Sequence, residues 1–331
     1  MERVTPALTL YASDEPIKIG VSSCLLGAQV RFDAGHKRSD FLVDTLGRFV
    51  EFVPVCPEVE IDLGVPREAL RLVRDRNAGR DNRLIANKTG VDHTDKMNSY
   101  AEHRATALGR EELSGYVLKK DSPSCGMVRV RVYGPSGMAT RDGAGLFAAA
   151  LIRRYPNLPV EEEGRLNDPH LRENFVERLF AYRRLRSFFS PRWTLGGLVQ
   201  FHTVHKLVLM AHSPKAYNEL GRFVADAKHL ARDRVREVYE CTFMEALKNL
   251  ATRARHSNVL HHMLGYLRQH LDGAARSELV TLIDDYRRGL VPLVVPITLF
   301  RHYVREFNVV YLRGQVYLEP HPKELMLRNH V

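Results

Sequence analysis

Ile19-Gly20-Val21-Ser22-Ser23-Cys24 is a short apolar run that shrinks to small residues and ends on a thiol. Phe52-Val53-Pro54-Val55-Cys56 repeats the device. Gly115–Leu118 does so again, with Cys125 following the turn Lys119-Lys120-Asp121-Ser122-Pro123-Ser124. Short apolar runs bounded by turn residues read as buried strands. Between them Asp40–Phe49, Thr94–Leu108 and Gly143–Arg154 have helical spacing, and Met127–Tyr133 alternates with period two. Strands alternating with helices predict an α/β unit built on a mainly parallel sheet. The carboxyl ends of parallel strands share one edge, and that edge is where ligands bind. Three thiols far apart in sequence therefore converge on one place.

The chain has 331 residues, more than one core usually serves, so two domains are expected. We place the first, a Rossmann-like α/β domain, over 1–165 and the second over 166–331. The boundary falls in or just after Tyr155–Pro169, a stretch with three prolines and an acidic run. Beyond it Leu171–Arg186, Leu195–His212, Tyr217–His229, Val235–Arg255, Val259–Leu271, Arg276–Arg288 and Thr298–Phe307 carry apolar residues at helical spacing. They predict an all-α bundle, followed by a loop-like tail, Gly314–Val331. The first sixteen residues read as a flexible leader without a signal-peptide layout. No uncharged apolar run reaches the ~20 residues of a membrane span. Four cysteines without close pairs argue for a reducing compartment, and the cytoplasm is expected.

The thiols admit several chemistries. Buried structural cysteines are common. Structural zinc wants a fourth ligand, for which His36 would have to serve. A nucleophilic cysteine paired with His36 or His93 would leave two thiols unexplained. Iron–sulfur clusters are held by thiolates, normally four, and three would leave one iron open to substrate. Asp33, His36 and Lys37 follow Cys24, Glu58 and Glu60 follow Cys56, and Ser122 precedes Cys125, so acid–base groups accompany the ligands. Cys241 stands apart within a helical segment and reads as a core or boundary residue.

These segments carry a family resemblance. Val21-Ser22-Ser23-Cys24-Leu25-Leu26-Gly27 with Val30-Arg31-Phe32-Asp33 and His36-Lys37, then Val55-Cys56-Pro57-Glu58, then Leu118-Lys119-Lys120-Asp121-Ser122-Pro123-Ser124-Cys125-Gly126, resemble the three motifs of the thiouracil desulfidase family over about residues 17–155. The second half resembles the domain fused to such desulfidases in tRNA 4-thiouridine desulfidases, through Trp193–Leu198, Phe201–Lys206, Ala251–His256 and Tyr317–Pro322. The resemblance implies a [4Fe–4S] cluster on Cys24, Cys56 and Cys125. It also implies a catalytic Glu58 and Ser122, with Glu60 as the near neighbour. The implied reaction has the sulfur of 4-thiouridine bind the open iron and water attack C4, giving uridine and hydrogen sulfide. Two alternatives stay open: a desulfidase of free thiouracil with a purely structural helical domain, and a non-enzymatic RNA-binding metalloprotein.

Charge bears on the partner. Of 49 Lys+Arg and 39 Asp+Glu, residues 1–165 hold 24 and 23, and residues 166–331 hold 25 and 16, a net of +1 against +9. A basic half suggests a polyanion, here tRNA containing 4-thiouridine. Arg183, Arg184 and Arg186 precede Phe188, Phe189 and Trp193, and cations interleaved with aromatics suit RNA. Arg253, Arg255 and His256 form a second candidate group, Arg287-Arg288 a third. His202, His205 and His212 fall on one helical face, expected to be a polar contact face or a domain interface.

Overall fold

The computed structural model describes residues 16–74 and 82–331, so the expected leader lies outside them apart from Pro16. The chain divides into two compact units, the first ending at Asn167 and the second running from Asp168 to Val331.

In the first unit the strands are β1 (Ile17–Ser22), β2 (Val50–Val55), β3 (Leu70–Arg74), β4 (Asn82–Ala86), β5 (Gly115–Leu118), β6 (Val130–Tyr133), β7 (Ala139–Gly143) and β8 (Val160–Glu162). The helices are α1 (Pro57–Glu60), α2 (Thr94–Leu108) and α3 (Leu146–Arg154). One sheet, ordered β2-β1-β5-β8, is parallel throughout. Its central strands are buried because helices cover them: α2 turns Met97, Ala101, Ala105 and Leu108 inward, and Phe147 of α3 packs on Tyr116 of β5 with ring centroids 5.9 Å apart. Pro-rich Tyr155–Pro169 supplies β8 rather than only a link.

The alternating Met127–Tyr133 segment corrects the single-sheet reading. Its ordered part, β6, belongs to a second sheet, β4-β3-β6-β7, in which β3–β6 is parallel and the outer pairs are antiparallel. Asp40–Phe49 also departs from a regular helix, forming a wide turn over Phe41–Thr45 and a tight one over Leu46–Arg48.

The second unit holds α4 (Pro169–Phe188), α5 (Leu195–His212), α6 (Pro214–Asp226), α7 (Arg232–Leu247), α8 (Arg253–Leu267), α9 (Gly273–Arg288), α10 (Val294–Glu306) and α11 (Val310–Arg313). Side-chain oxygens of Asp168, Thr194, Ser213, Thr252 and Asp272 accept the N–H groups that would otherwise go unpaired at helix starts. The expected helix Val235–Arg255 is broken at 248–252. Thr252 caps α8, His212 Nδ1 lies 2.6 Å from the Asn249 carbonyl, and Arg255 donates to the carbonyls of His212 and Leu250. The tail is not loose: Val316, Tyr317, Leu318, Leu325, Leu327 and Val331 are buried, and the Val331 carbonyl accepts the Leu293 N–H.

Candidate active site

The carboxyl ends of β1, β2 and β5 meet as the parallel register requires, and one cavity of about 330 Å³ lies at that edge. Cys24, Cys56 and Cys125 all line it, with Glu58, Ser122, Arg31, Lys37, Arg67 and Lys119. Each thiol is held differently. Cys24 sits in a tight turn closed by Gly27, whose φ of +97° favours glycine. Cys56 precedes Pro57 at the start of α1, and its thiol donates to the Val30 carbonyl at 3.8 Å. Cys125 rides on a turn pinned from both sides. Ser122 Oγ accepts the N–H groups of Ser124 (3.3 Å) and Cys125 (3.1 Å), and Ser22 Oγ accepts that of Lys119 (3.0 Å). Gly145 must lack a side chain there, because a Cβ would stand 2.5 Å from the Ser124 carbonyl group.

Burial pushes the Cys24 thiol up to about 11, against the pull of Lys119, and the charge of Cys56 adds to the rise. Burial likewise raises Cys56, and raises Cys125 well above the ordinary thiol range, with Glu58 adding to the latter. Three thiolates here need a positive partner, which iron would supply. Among the described residues no group of three or more His, Cys, Asp or Glu side chains closes around a point fit for one metal ion. Three thiols lining one cavity are the donor type that iron–sulfur clusters take.

Glu58 is fixed at both oxygens. Arg67 donates to Oε2 through Nε (2.9 Å) and Nη2 (2.6 Å), and the buried Ser124 hydroxyl donates to Oε1 at 2.9 Å. Glu60 faces elsewhere. Its Oε1 accepts the Cys56 N–H at 3.1 Å, and its Oε2 accepts the Tyr100 hydroxyl (2.6 Å) and forms an ion pair with Arg104 (3.2 Å), so it ties α1 to α2 and does not line the cavity. Lys119 Nζ pairs with Glu163 at 2.5 Å beside Cys24. Asp33 is exposed and paired with Arg31 at 3.4 Å; His36 is exposed and accepts the Arg38 N–H.

Comparison with known proteins sets this geometry in context. Residues 19–163 match the family model "2-thiouracil desulfurase", and residues 206–322 match "Protein of unknown function (DUF1722)". Over 153 residues, 46% of this chain and 90% of the relative, the chain is 37% identical to "Uncharacterized protein YbgA" of Escherichia coli (strain K12). The chain belongs to the same family as YbgA. Among solved structures, a "[4Fe-4S]-dependent thiouracil desulfidase TudS" is 32% identical, with a TM-score of 0.37, over 46% of this chain and 93% of that one.

Every cavity residue named above lies within the segment matched to the desulfurase model. The sequence reading passed over Ser124, Arg67, Ser22 and Lys119. Lys119 and Ser124 stand inside a quoted motif, but the partners that give them a role come from other strands and turns.

In the YbgA-family chain the expected RNA-contact residues separate into two kinds. Arg184 is buried, donating from Nη1 to the Pro320 carbonyl (2.9 Å) and from Nε to His205 (3.3 Å), and so is withdrawn from any surface role. Arg255 is half-buried on two carbonyls. Arg183 and Arg186 are half-buried and Arg253 is exposed. Phe188 and Phe189 are core: they pack with Trp193, and Phe188 stacks on Phe201 at 5.1 Å. His202, His205 and His212 are likewise buried within the second unit, not on a contact face, while Cys241 is exposed rather than core.

Proposed function

We propose that this chain is a [4Fe–4S]-dependent desulfidase of a thiolated nucleobase, acting on 4-thiouridine in tRNA to give uridine and hydrogen sulfide. The observation that carries it is one cavity lined by three thiols from three strand ends, with the anchored Glu58 carboxylate among them. Cys24, Cys56 and Cys125 would hold the cluster, which when bound supplies an open iron for a soft thiocarbonyl sulfur. The remaining work falls to the protein. Arg67 and Ser124 aim Glu58, which takes a proton from the water that attacks C4. Ser122 Oγ already accepts two N–H groups, which leaves its own hydrogen for the base ring or the developing oxyanion. The Lys119–Glu163 pair sets a cation beside Cys24 and the leaving sulfur.

A cavity of about 330 Å³ suits a single base, and free thiouracil fits that as well as a nucleotide does. The basic charge of residues 166–331 is what favours tRNA. Among the described residues no helix is long and apolar enough to cross a membrane. The test is sulfide release by anaerobically reconstituted protein from 4-thiouridine tRNA and from free thiouracil. Turnover of tRNA at the higher kcat/KM supports the reading; preference for the free base transfers the assignment to the simpler desulfidase. No release from either refutes an enzyme.

A further inference from the structure

A second cavity, also about 330 Å³, lies beside the first on the mixed sheet. Leu70, Asp121 and Pro123 line both, and Arg71, Asn87, Arg131 and Tyr133 line only the second.

Register explains its charge. Leu72 of β3 pairs with Val132 of β6, and both are buried. One step earlier on each strand stand Arg71 and Arg131, which alternation turns to the opposite, exposed face. Arg131 is in turn directly opposite Arg141 of β7. Three arginines thus occupy one row of the backbone register across three strands, which lie roughly 4.8 Å apart. Like charges directly opposed weaken a sheet. Arg141 is relieved by Asp121 at 3.1 Å. Among the described residues neither Arg71 nor Arg131 has a carboxylate partner; Arg71 lies over the Tyr133 ring, 5.5 Å from its centroid. A first unit that is nearly neutral overall concentrates cations here and at the first cavity, where Lys37 and Lys120 are exposed.

We propose that this groove seats the phosphodiester backbone flanking the nucleotide whose base enters the thiol cavity, with Tyr133 stacking a neighbouring base of single-stranded RNA. The proposal rests on the desulfidase reading and deepens it: the α/β unit itself grips a polynucleotide. Guanidinium groups bind phosphate through paired N–H donors, and a ring already faced by Arg71 offers the platform on which an unstacked base lies. Asp121 on the shared rim is held by Arg141, which offsets its repulsion of a passing phosphate.

The test measures anisotropy of a short unmodified oligouridylate on the full-length reconstituted protein, across a salt series. The double variant Arg71→Gln/Arg131→Gln should lose affinity by about tenfold or more. Its plot of log affinity against log salt should flatten by roughly 1.4, about 0.7 for each lost contact. Arg83→Gln removes an equal charge from the same sheet outside the groove and should bind as wild type does. Wild-type affinity and slope in the double variant overturn the proposal. So does an effect confined to UMP and inorganic phosphate, which would mean a monophosphate site. Arginine-dependent binding by a protein that releases no sulfide from any thiolated substrate supports the groove while sinking the desulfidase reading. Sulfide release with arginine-independent oligouridylate binding does the reverse.

Discussion

The two units use polar side chains in opposite ways. In the α/β unit the functional groups end at a cavity: thiols, Glu58 and Ser122 are fixed from behind and face space. In the helical unit they close on one another. Glu173 pairs with Arg328 at 3.0 Å, Glu177 with His212 at 3.3 Å, and Arg184 spends its donors on Pro320 and His205, all of them buried. Ionic groups sealed inside a bundle contribute specificity of packing at a desolvation cost and offer nothing to a ligand. A charge count over sequence cannot tell these uses apart, and part of the +9 of the second half is interior.

The largest effects should come from the groups that face the cavity. Serine at Cys24, Cys56 or Cys125 should remove the cluster, seen as loss of visible absorbance and of about four iron per chain in anaerobic preparations. Cys241→Ser, altering an exposed thiol, should keep both. Stoichiometric zinc in place of iron would refute the cluster. Glu58→Gln should retain the iron and lower kcat by ~10²–10⁴-fold, the usual range for a missing general base. Glu60→Gln should instead lower the melting temperature, since Glu60 joins α1 to α2. An inactive Glu60→Gln beside an active Glu58→Gln would reverse the two roles.

What could be seen in advance followed from locality. The strand ending at Ser22 and the helices Thr94–Leu108 and Leu195–His212 are written in short-range periodicity, and the structure has them at those bounds. The second sheet was hidden because arginines interrupt the apolar residues of β3 and β4, and the pairing of β3 with β6, through Leu72–Val132 and Val73–Tyr133, joins residues about sixty positions apart. The break at 248–252 has no proline or glycine; it depends on His212 and Arg255 reaching the turn from elsewhere. The cysteines were legible because each follows its own strand at once or after one turn. Ser124 and Arg67 were not, because their meaning is Glu58, which is distant in the chain from Ser124 and unmarked beside Arg67.

Acid should distinguish the units next. Burial, with Lys206 nearby, pulls His202 down to about 4; burial with Arg328 pulls His321 to about 4 and His256 to about 3. Each lies below its unfolded value of roughly 6.5, so the unfolded chain binds more protons as pH falls. The stability tied to these neutral rings is present above pH 6.5 and is lost toward pH 4, at ~1.4 kcal/mol per pKa unit. His212 runs the other way. Burial lowers it, but Glu177 wins and raises it, so its contribution is full below pH 6.5 and fades as pH rises through the folded value. Burial, with Arg184 nearby, pushes His205 well below the ordinary histidine value too, so four rings against one predict net acid destabilisation of the bundle. Trp193 is the single tryptophan and lies in that unit, so its fluorescence during urea unfolding at pH 7 and pH 4.5 reads the change. A midpoint independent of pH would mean these histidines are not sealed in.

The smallest effects on RNA binding should come from the arginines of the helical unit, one buried and the others reaching solvent. Arg184 and Arg186 are two residues apart on α4, one buried and the other half-exposed beside the Tyr182 ring at 6.0 Å. Arg184→Met leaves the Pro320 carbonyl and His205 without their donor, and an unpaired buried group costs ~1–3 kcal/mol. It should therefore lower the unfolding free energy by about that amount, with little change in tRNA affinity at a temperature where the chain stays folded. Arg186→Glu combined with Arg253→Glu reverses two charges that reach solvent. If the bundle contributes to tRNA binding, that pair should weaken it several-fold and flatten its salt dependence by roughly 0.7 per lost contact. Affinity unchanged in Arg186→Glu/Arg253→Glu would remove these two arginines of α4 and α8 from RNA contact, and would turn the search to other residues, the arginine row of the α/β unit first among them.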